Sequence, residues 1–388
     1  MKKILIVNNN MQIGGVQKAL VNLLTEIAPH YEVTLFLFAK TGALLNDIPQ
    51  SVRVIAANPL VRVLGLSHAE ARQAGILPLL WRGALVVATR MFKTRVVFWL
   101  LSHMQRMAGA YDLAISYLQN GADTCFYGGC AELVLHAVNA GRKVCFVHCD
   151  FAHYEGRCAY NAKTLMKFDR VAAVSDAVAE RLQDVVPQLR GKVVTVHNCQ
   201  NAAQVLSLSA AYRAPRTEGK INLFSASRLR HEKGIARMIP IFSKMKDIDV
   251  VWRIAGEGEE RQEIEALIAA HGLQETIILL GNLQNPYPYF RAADALLVPS
   301  YDEAAPMVFG EARILGTPVI TTDTASAHEM VQAVQAGWVI ANDDERIFSE
   351  LSRLLRAFDR LQFDAGTWSN DAAIAEFDGL TEIAKAVE

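Results

Sequence analysis

Ile4-Leu5-Ile6-Val7, then Asn8-Asn9-Asn10-Met11-Gln12-Ile13-Gly14-Gly15, then Val16-Gln17-Lys18-Ala19-Leu20 reads as a strand, a loop and the start of a helix. A run that is apolar throughout suits a strand covered on both faces, as in a parallel sheet. The pattern recurs at Val33–Phe38, Val52–Ala57, Asp112–Leu118, Val144–His148, Val171–Val174 and Val193–His197. It continues at Ile221–Ser225, Val250–Ala255, Ile277–Leu280, Ala295–Pro299, Pro318–Thr321 and Trp338–Ala341. Strands alternating with helices specify an open α/β sheet. Thirteen strands exceed one ordinary sheet, and 388 residues suit two domains at about 150 residues each. The expectation is an α/β chain of two Rossmann-like domains with parallel sheets, 1–205 and 206–365. A helical segment over 366–388, patterned by Ile374, Phe377, Leu380, Ile383 and Ala384, is expected to return to the first domain. The polar stretch Ala210–Lys220, with Pro215 and Gly219, leads into the second domain. Glu345–Leu361 carries Ile347, Leu351, Leu354, Leu355, Phe358 and Leu361 as one apolar stripe.

Lys and Arg total 39 against 40 Asp and Glu, which argues against a nucleic-acid partner. Apolar residues at 52% and charged residues at 20% leave no compositional case for disorder. The longest apolar stretch, Ala74–Thr89, is interrupted by Pro78 and Arg82 and falls short of the ~20 residues a membrane span needs. The N-terminal apolar run is too short for a signal-peptide core, so a cytoplasmic chain is expected. Six cysteines between Cys125 and Cys199 show no paired spacing, so Cys145, His148 and Cys149 read as sheet residues rather than a metal set.

Ligands of open α/β sheets bind at the carboxyl ends of strands. Gly14 and Gly15 precede a helix and could bring backbone N–H groups to an anion. Arg228 and Lys233, in Ala226-Ser227-Arg228-Leu229-Arg230-His231-Glu232-Lys233-Gly234, could clamp a diphosphate. Gly256-Glu257-Gly258 could border a nucleotide base. Each of these loops, taken alone, reads equally as an ordinary turn or a solvated basic loop. The most informative stretch is Val298-Pro299-Ser300-Tyr301-Asp302-Glu303-Ala304-Ala305-Pro306-Met307-Val308-Phe309-Gly310-Glu311. It places Glu303 before a helix, Pro306 in its first turn, and Glu311 about two turns along among apolar neighbours. Two carboxylates so spaced could hold two polyols, such as a sugar and a ribose.

Together these loops resemble the retaining glycosyltransferases of family 4, which have the GT-B fold, and the resemblance implies two parallel sheets facing each other across a cleft. Glu303 and Glu311 match that family's Glu-x7-Glu spacing, and Leu315-Gly316-Thr317-Pro318-Val319-Ile320 matches the stretch that usually comes after the second Glu. The resemblance covers roughly Ile221 to Val331. It implies that Arg228 and Lys233 bind the donor diphosphate and offset leaving-group charge. It implies that Glu303 holds the donor sugar with backbone around Ala305, Pro306, Met307 and Val308, and that Glu311 holds the ribose. Gly14 and Gly15 would meet the diphosphate, Gly256 the nucleotide, and His148 the sugar. Ser175 reads first as a helix cap.

The implied reaction is metal-independent hexosyl transfer with retention, from a nucleotide sugar (UDP favoured over GDP) to a lipid-linked glycan in bacterial surface polysaccharide assembly. No cofactor is implied. Asp247-Ile248-Asp249 opens a strand, the wrong end for a metal site, and reads as a solvated turn. Two departures stand out: Glu303-Ala304-Ala305 replaces the usual Glu-Gly-Phe, and Asn198-Cys199 the usual Asn-Gly. Residues 61–110 hold seven Lys or Arg against one Glu, interleaved with Trp81, Phe92, Phe98 and Trp99. That composition suits either a solvated helix face or peripheral contact with an anionic membrane on its inner, cytoplasmic side. Alternatives are another nucleotide-sugar enzyme such as a 2-epimerase, or an inactive partner subunit.

Overall fold

The computed structural model describes residues 1–358 and 368–382. The chain divides into two compact units, Met1–Gln200 with the segment from Asn370, and Asn201–Ser369. The division falls at 200 rather than 205 because Val205, on the helix Ala202–Ser209, packs into the second unit's core.

The first unit holds β1 (Lys3–Asn8), β2 (Glu32–Leu37), β3 (Arg53–Ala56), β4 (Tyr111–Ser116), β5 (Ala140–Val147), β6 (Arg170–Ala173) and β7 (Val193–Thr195). All pair in parallel, in the order β3-β2-β1-β4-β5-β6-β7. The second holds β8 (Ile221–Ala226), β9 (Val250–Ala255), β10 (Ile277–Gly281), β11 (Ala295–Val298), β12 (Val319–Thr322) and β13 (Gly337–Ile340). Its order is β10-β9-β8-β11-β12-β13, again parallel. These are two Rossmann-like domains.

Both faces of the second sheet are covered, and the alternation of side chains shows how. Leu223, Trp252, Leu297 and Ile320 enter one apolar cluster. Their strand neighbours Phe224, Leu296, Val298 and Val319 enter the other. A period of two with both faces apolar produces the continuous hydrophobic runs of the sequence. The helix Asp344–Arg356 supplies Ile347, Leu351 and Leu355 to the first cluster. Leu361, Ile383 and Ala384 lie outside the described residues.

The helix Asp371–Thr381 packs on the first unit. Glu376 accepts from the His197 backbone N–H at 2.8 Å and pairs with its ring. Tyr31 donates to Asp378 at 2.6 Å, and its ring meets buried Phe377 edge-on. A helical stretch spans Ile76–Met104 with a break at Lys93, where φ is +67. Pro78 does not interrupt it, because as its third residue it lacks only an N–H that has no partner inside the helix. Among the described residues, no helix is long and apolar enough to cross a membrane.

Candidate functional site

Each sheet order reverses direction once, between β1 and β4 in the first unit and between β8 and β11 in the second. Loops leaving neighbouring strands at such a point diverge to opposite faces and leave a crevice at the carboxyl edge. In the second unit, that edge carries the segments 227–234 and 299–311.

Lys233 and Glu303 meet there, Nζ to Oε1, at 2.6 Å. The Ser300 hydroxyl donates to the same Glu303 oxygen at 2.7 Å. Arg228 is exposed and pairs with Glu232 at 3.4 Å. The Ser227 hydroxyl is buried with no hydrogen-bond partner among the described residues. Glycine geometry fixes this loop. A Cβ at Gly256, whose φ is +144, would sit 1.8 Å from the Ser227 carbonyl oxygen, and one at Gly258 would sit 2.1 Å from that of Leu229. The Leu229 N–H donates to Glu257 O and the Glu260 N–H to Leu229 O. Gly256 therefore acts by letting the 256–258 turn support the Ser227–Leu229 backbone.

The helix Met307–Ile314 comes next, with Pro306 as its extended N-cap rather than a residue of its first turn. Met307 and Val308 open the helix, with Ala305 just upstream. Ala304 tolerates the position that is usually glycine, because non-glycine residues with positive φ among those described are Lys93 and Gln335. Glu311 is 2% exposed, and Tyr287 donates its hydroxyl toward it at 3.5 Å. Two hydroxyls that sequence reading does not single out, Thr324 and Ser326, are buried beyond β12 without a hydrogen-bond partner among the described residues. Nothing in the local composition marks them.

His148, Gly14 and Gly15 belong to the first unit. His148 immediately follows β5, where its backbone N–H donates to Gln119 at 3.1 Å and its ring meets Tyr117 and Phe146. Its Nε2 is buried without a partner among the described residues. Burial pushes its pKa down to about 4, partly opposed by a hydrogen bond with Tyr117, so the imidazole is neutral near pH 7. Gly14 caps the helix Gly15–Ile27, and a Cβ at Gly15 would enter open space. Ser175 caps its helix by accepting from the Val178 N–H.

Burial pushes the Cys145 thiol up to about 12, as befits a sheet residue. Cys199 is buried, and its carbonyl accepts from the Asn22 side chain. Asp247 is exposed at the amino end of β9 and pairs with Arg356, whose hydrogen bond holds its carboxyl below the ordinary range.

Residues 212–358 match the family model described as glycosyl transferases group 1. Over 154 residues the chain is 30% identical to 2-deoxystreptamine glucosyltransferase of Streptomyces kanamyceticus, covering 38% of each protein. Over 153 residues it is 24% identical to the amylovoran biosynthesis glycosyltransferase AmsD of Erwinia amylovora, covering 39% of this chain and 43% of the relative. These matches thus span about two fifths of the curated relatives' length. Among solved structures, TarM from S. aureus superposes with a TM-score of 0.68 at 13% identity, covering 99% of both chains. Anabaena HepE, crystallised with UDP and glucose, superposes with a TM-score of 0.63 at 16% identity, covering 98% of this chain and 97% of its own. The fold is GT-B.

Proposed function

We propose that this chain, whose second unit carries a glycosyl transferases group 1 domain, is a retaining glycosyltransferase. It moves a hexose from a nucleoside diphosphate sugar, UDP in preference to GDP, to a hydroxyl of a lipid-linked glycan in surface polysaccharide assembly. One observation carries this reading. The β8/β11 switch point gathers Arg228, the Lys233–Glu303 pair and the orphaned Ser227 hydroxyl on one edge of a Rossmann-like sheet. The UDP and glucose held by HepE support the donor class, and the named role of AmsD supports the polysaccharide context.

In this reading the bond between sugar C1 and the diphosphate oxygen breaks as the acceptor oxygen bonds to C1 from the same face. The acceptor proton passes to the departing phosphate oxygen. Lys233 and Arg228 offset the charge that develops on that phosphate, a term commonly among the largest in catalysis. Because these two cations supply the positive charge, the reading requires no metal. Glu303 accepts from the sugar hydroxyls and Glu311 from the ribose. Backbone at Ala305–Val308, with Pro306 fixing the approach of the chain, lines the sugar side. Gly14 and Gly15 admit the diphosphate, and neutral His148 offers Nε2 to a sugar hydroxyl. Peripheral contact with an anionic membrane, on its inner, cytoplasmic face, runs through residues 61–110.

Calorimetric titration with UDP, GDP and ADP, followed by turnover of the corresponding sugar nucleotides, tests the reading. Binding of UDP and loss of transfer in Glu303→Gln are expected. Failure to bind any nucleoside diphosphate rejects it, and a changed sugar nucleotide formed without acceptor assigns an epimerase instead.

A further inference from the structure

We propose that Arg237 is a positioning residue for the sugar-binding carboxylate, holding Glu303 in place through the Pro299–Tyr301 backbone. The inference rests on Glu303 binding the donor sugar. Arg237 lies on the helix Ile235–Ser243, and its side chain is 4% exposed. A buried guanidinium persists only where its donors are met. Here Nε and one terminal nitrogen donate to Pro299 O at 3.1 and 2.6 Å. The same terminal nitrogen reaches Ser300 O at 3.0 Å and Asn342 Oδ1 at 2.8 Å. Most of this fork is thus spent on two consecutive carbonyls that precede Glu303, and Ser300 is the residue whose hydroxyl holds the Glu303 carboxylate.

The clamp continues through Tyr301. The Arg237 guanidinium lies 3.8 Å from the centre of its ring. The same ring stacks on His231 at 4.9 Å, with the planes 4° apart. The Tyr301 N–H donates to Glu232 O at 2.9 Å, and Asn342 donates to Tyr301 O at 2.9 Å. His231 and Glu232 immediately precede Lys233, so one buried cation and one ring join the Lys233 loop to the Glu303 loop. Gly234 makes room for the junction: a Cβ there would sit 2.1 Å from Pro299 O. Lysine cannot replace this arrangement, since an ammonium lacks both the planar fork and the stacking face.

The experiment compares Arg237→Lys, Arg237→Ala, Asn342→Ala and Glu303→Gln, reading kcat for sugar transfer and Kd for UDP. Arg237→Lys is expected to lower kcat about ten- to hundredfold while Kd stays within about twofold, as misplacement of a contact by an ångström does. Asn342→Ala should lower kcat severalfold, which keeps the test valid if the buried arginine variants fold poorly. Free guanidinium at sub-denaturing concentration should restore part of the Arg237→Ala rate.

Wild-type kcat in Arg237→Lys and Asn342→Ala, with transfer abolished in Glu303→Gln, overturns the positioning role and leaves the functional reading standing. A parallel loss of UDP binding without rescue also overturns it. Unchanged turnover in Glu303→Gln removes Glu303 from the sugar site and overturns the positioning role with it, whereas absence of transfer and of nucleoside diphosphate binding in the parent protein removes the functional reading itself.

Discussion

Lys233 and Glu303, 70 positions apart in sequence, form a 2.6 Å ion pair whose side chains are 19% and 11% exposed. The family resemblance implies separate ligands for them, diphosphate for one and sugar for the other. The fold joins them, so each sets the charge environment of the other before any substrate arrives. A pair this enclosed is strongly coupled: removing one partner strands a poorly solvated charge, whereas removing both does not. Lys233→Met alone should therefore destabilise the protein by about 1–3 kcal/mol, and Lys233→Met/Glu303→Gln by less. Denaturant unfolding of the two variants measures this. Equal losses would mean the pair is solvated and independent. Lys233→Met should also weaken UDP binding at least tenfold by calorimetry, as expected for loss of a charge-assisted contact worth about 1.5–3 kcal/mol.

The fold is legible because its strands are buried on both faces, so each announces itself as an apolar run whatever surrounds it. Where burial fails, the signal fails: β5 starts at Ala140, before the predicted Val144, because Ala140, Gly141, Arg142 and Lys143 are at least partly exposed. The charged candidates Arg228, Lys233, Glu303 and Glu311 stand out in the sequence through their spacing. The clamp around Arg237 is not, because a lone arginine among Ile235, Ala236 and Met238 looks like any helix residue. Its partners Pro299, Ser300 and Asn342 are 62, 63 and 105 positions away, and two of them contribute backbone carbonyls that no sequence displays.

Gly256 and Gly15 should respond oppositely to alanine. At Gly256 a Cβ meets the Ser227 carbonyl oxygen at 1.8 Å from a left-handed φ of +144, so the turn must move. Gly256→Ala should cost about 2–4 kcal/mol, combining backbone strain with displacement of the loop. It should weaken UDP binding in parallel. At Gly15 the added methyl meets nothing. Gly15→Ala should melt like the parent, and a change in its KM for the sugar nucleotide would mark close approach of the donor to that backbone. Calorimetric melting and initial-rate kinetics separate the two. Parent-like melting of Gly256→Ala would show that the turn relaxes freely.

His148 should make the first unit acid-sensitive. Its folded pKa of about 4 lies below the ordinary histidine value of 6.5, because burial disfavours the imidazolium. The unfolded chain therefore binds a proton between those values while the folded chain does not. Stability is complete above about pH 6.5 and falls as pH drops towards 4, where this contribution is exhausted. His148→Gln should flatten unfolding free energy against pH across that window and leave it unchanged at pH 8. A wild-type profile already flat between pH 6.5 and 4, or one that His148→Gln does not alter, would remove the buried neutral imidazole as its cause.

The helical stretch Ile76–Met104 offers the last test. Val96, Trp99 and Leu100 are 46–50% exposed, with Trp99 and Leu100 three and four residues beyond Val96 on one side of the helix that follows the break at Lys93, and Phe92, just before the break, is 58% exposed. Exposed Arg90, Lys93 and Arg95 lie beside them, and Lys93 also pairs with Asp123 at 3.4 Å. An apolar face flanked by cations partitions to an anionic interface by burying its rings and releasing surface charge. Phosphatidylglycerol vesicles should therefore sediment the protein, whereas phosphatidylcholine vesicles should not. Arg90→Glu and Arg95→Glu should each weaken binding by about 1 kcal/mol or more, with the difference shrinking at high salt. Trp99→Ser should weaken binding without changing its salt dependence, because it removes buried apolar area and no charge. Sedimentation that is equal on both vesicle types, or indifferent to these substitutions, would assign the face to a protein partner or to solvent instead.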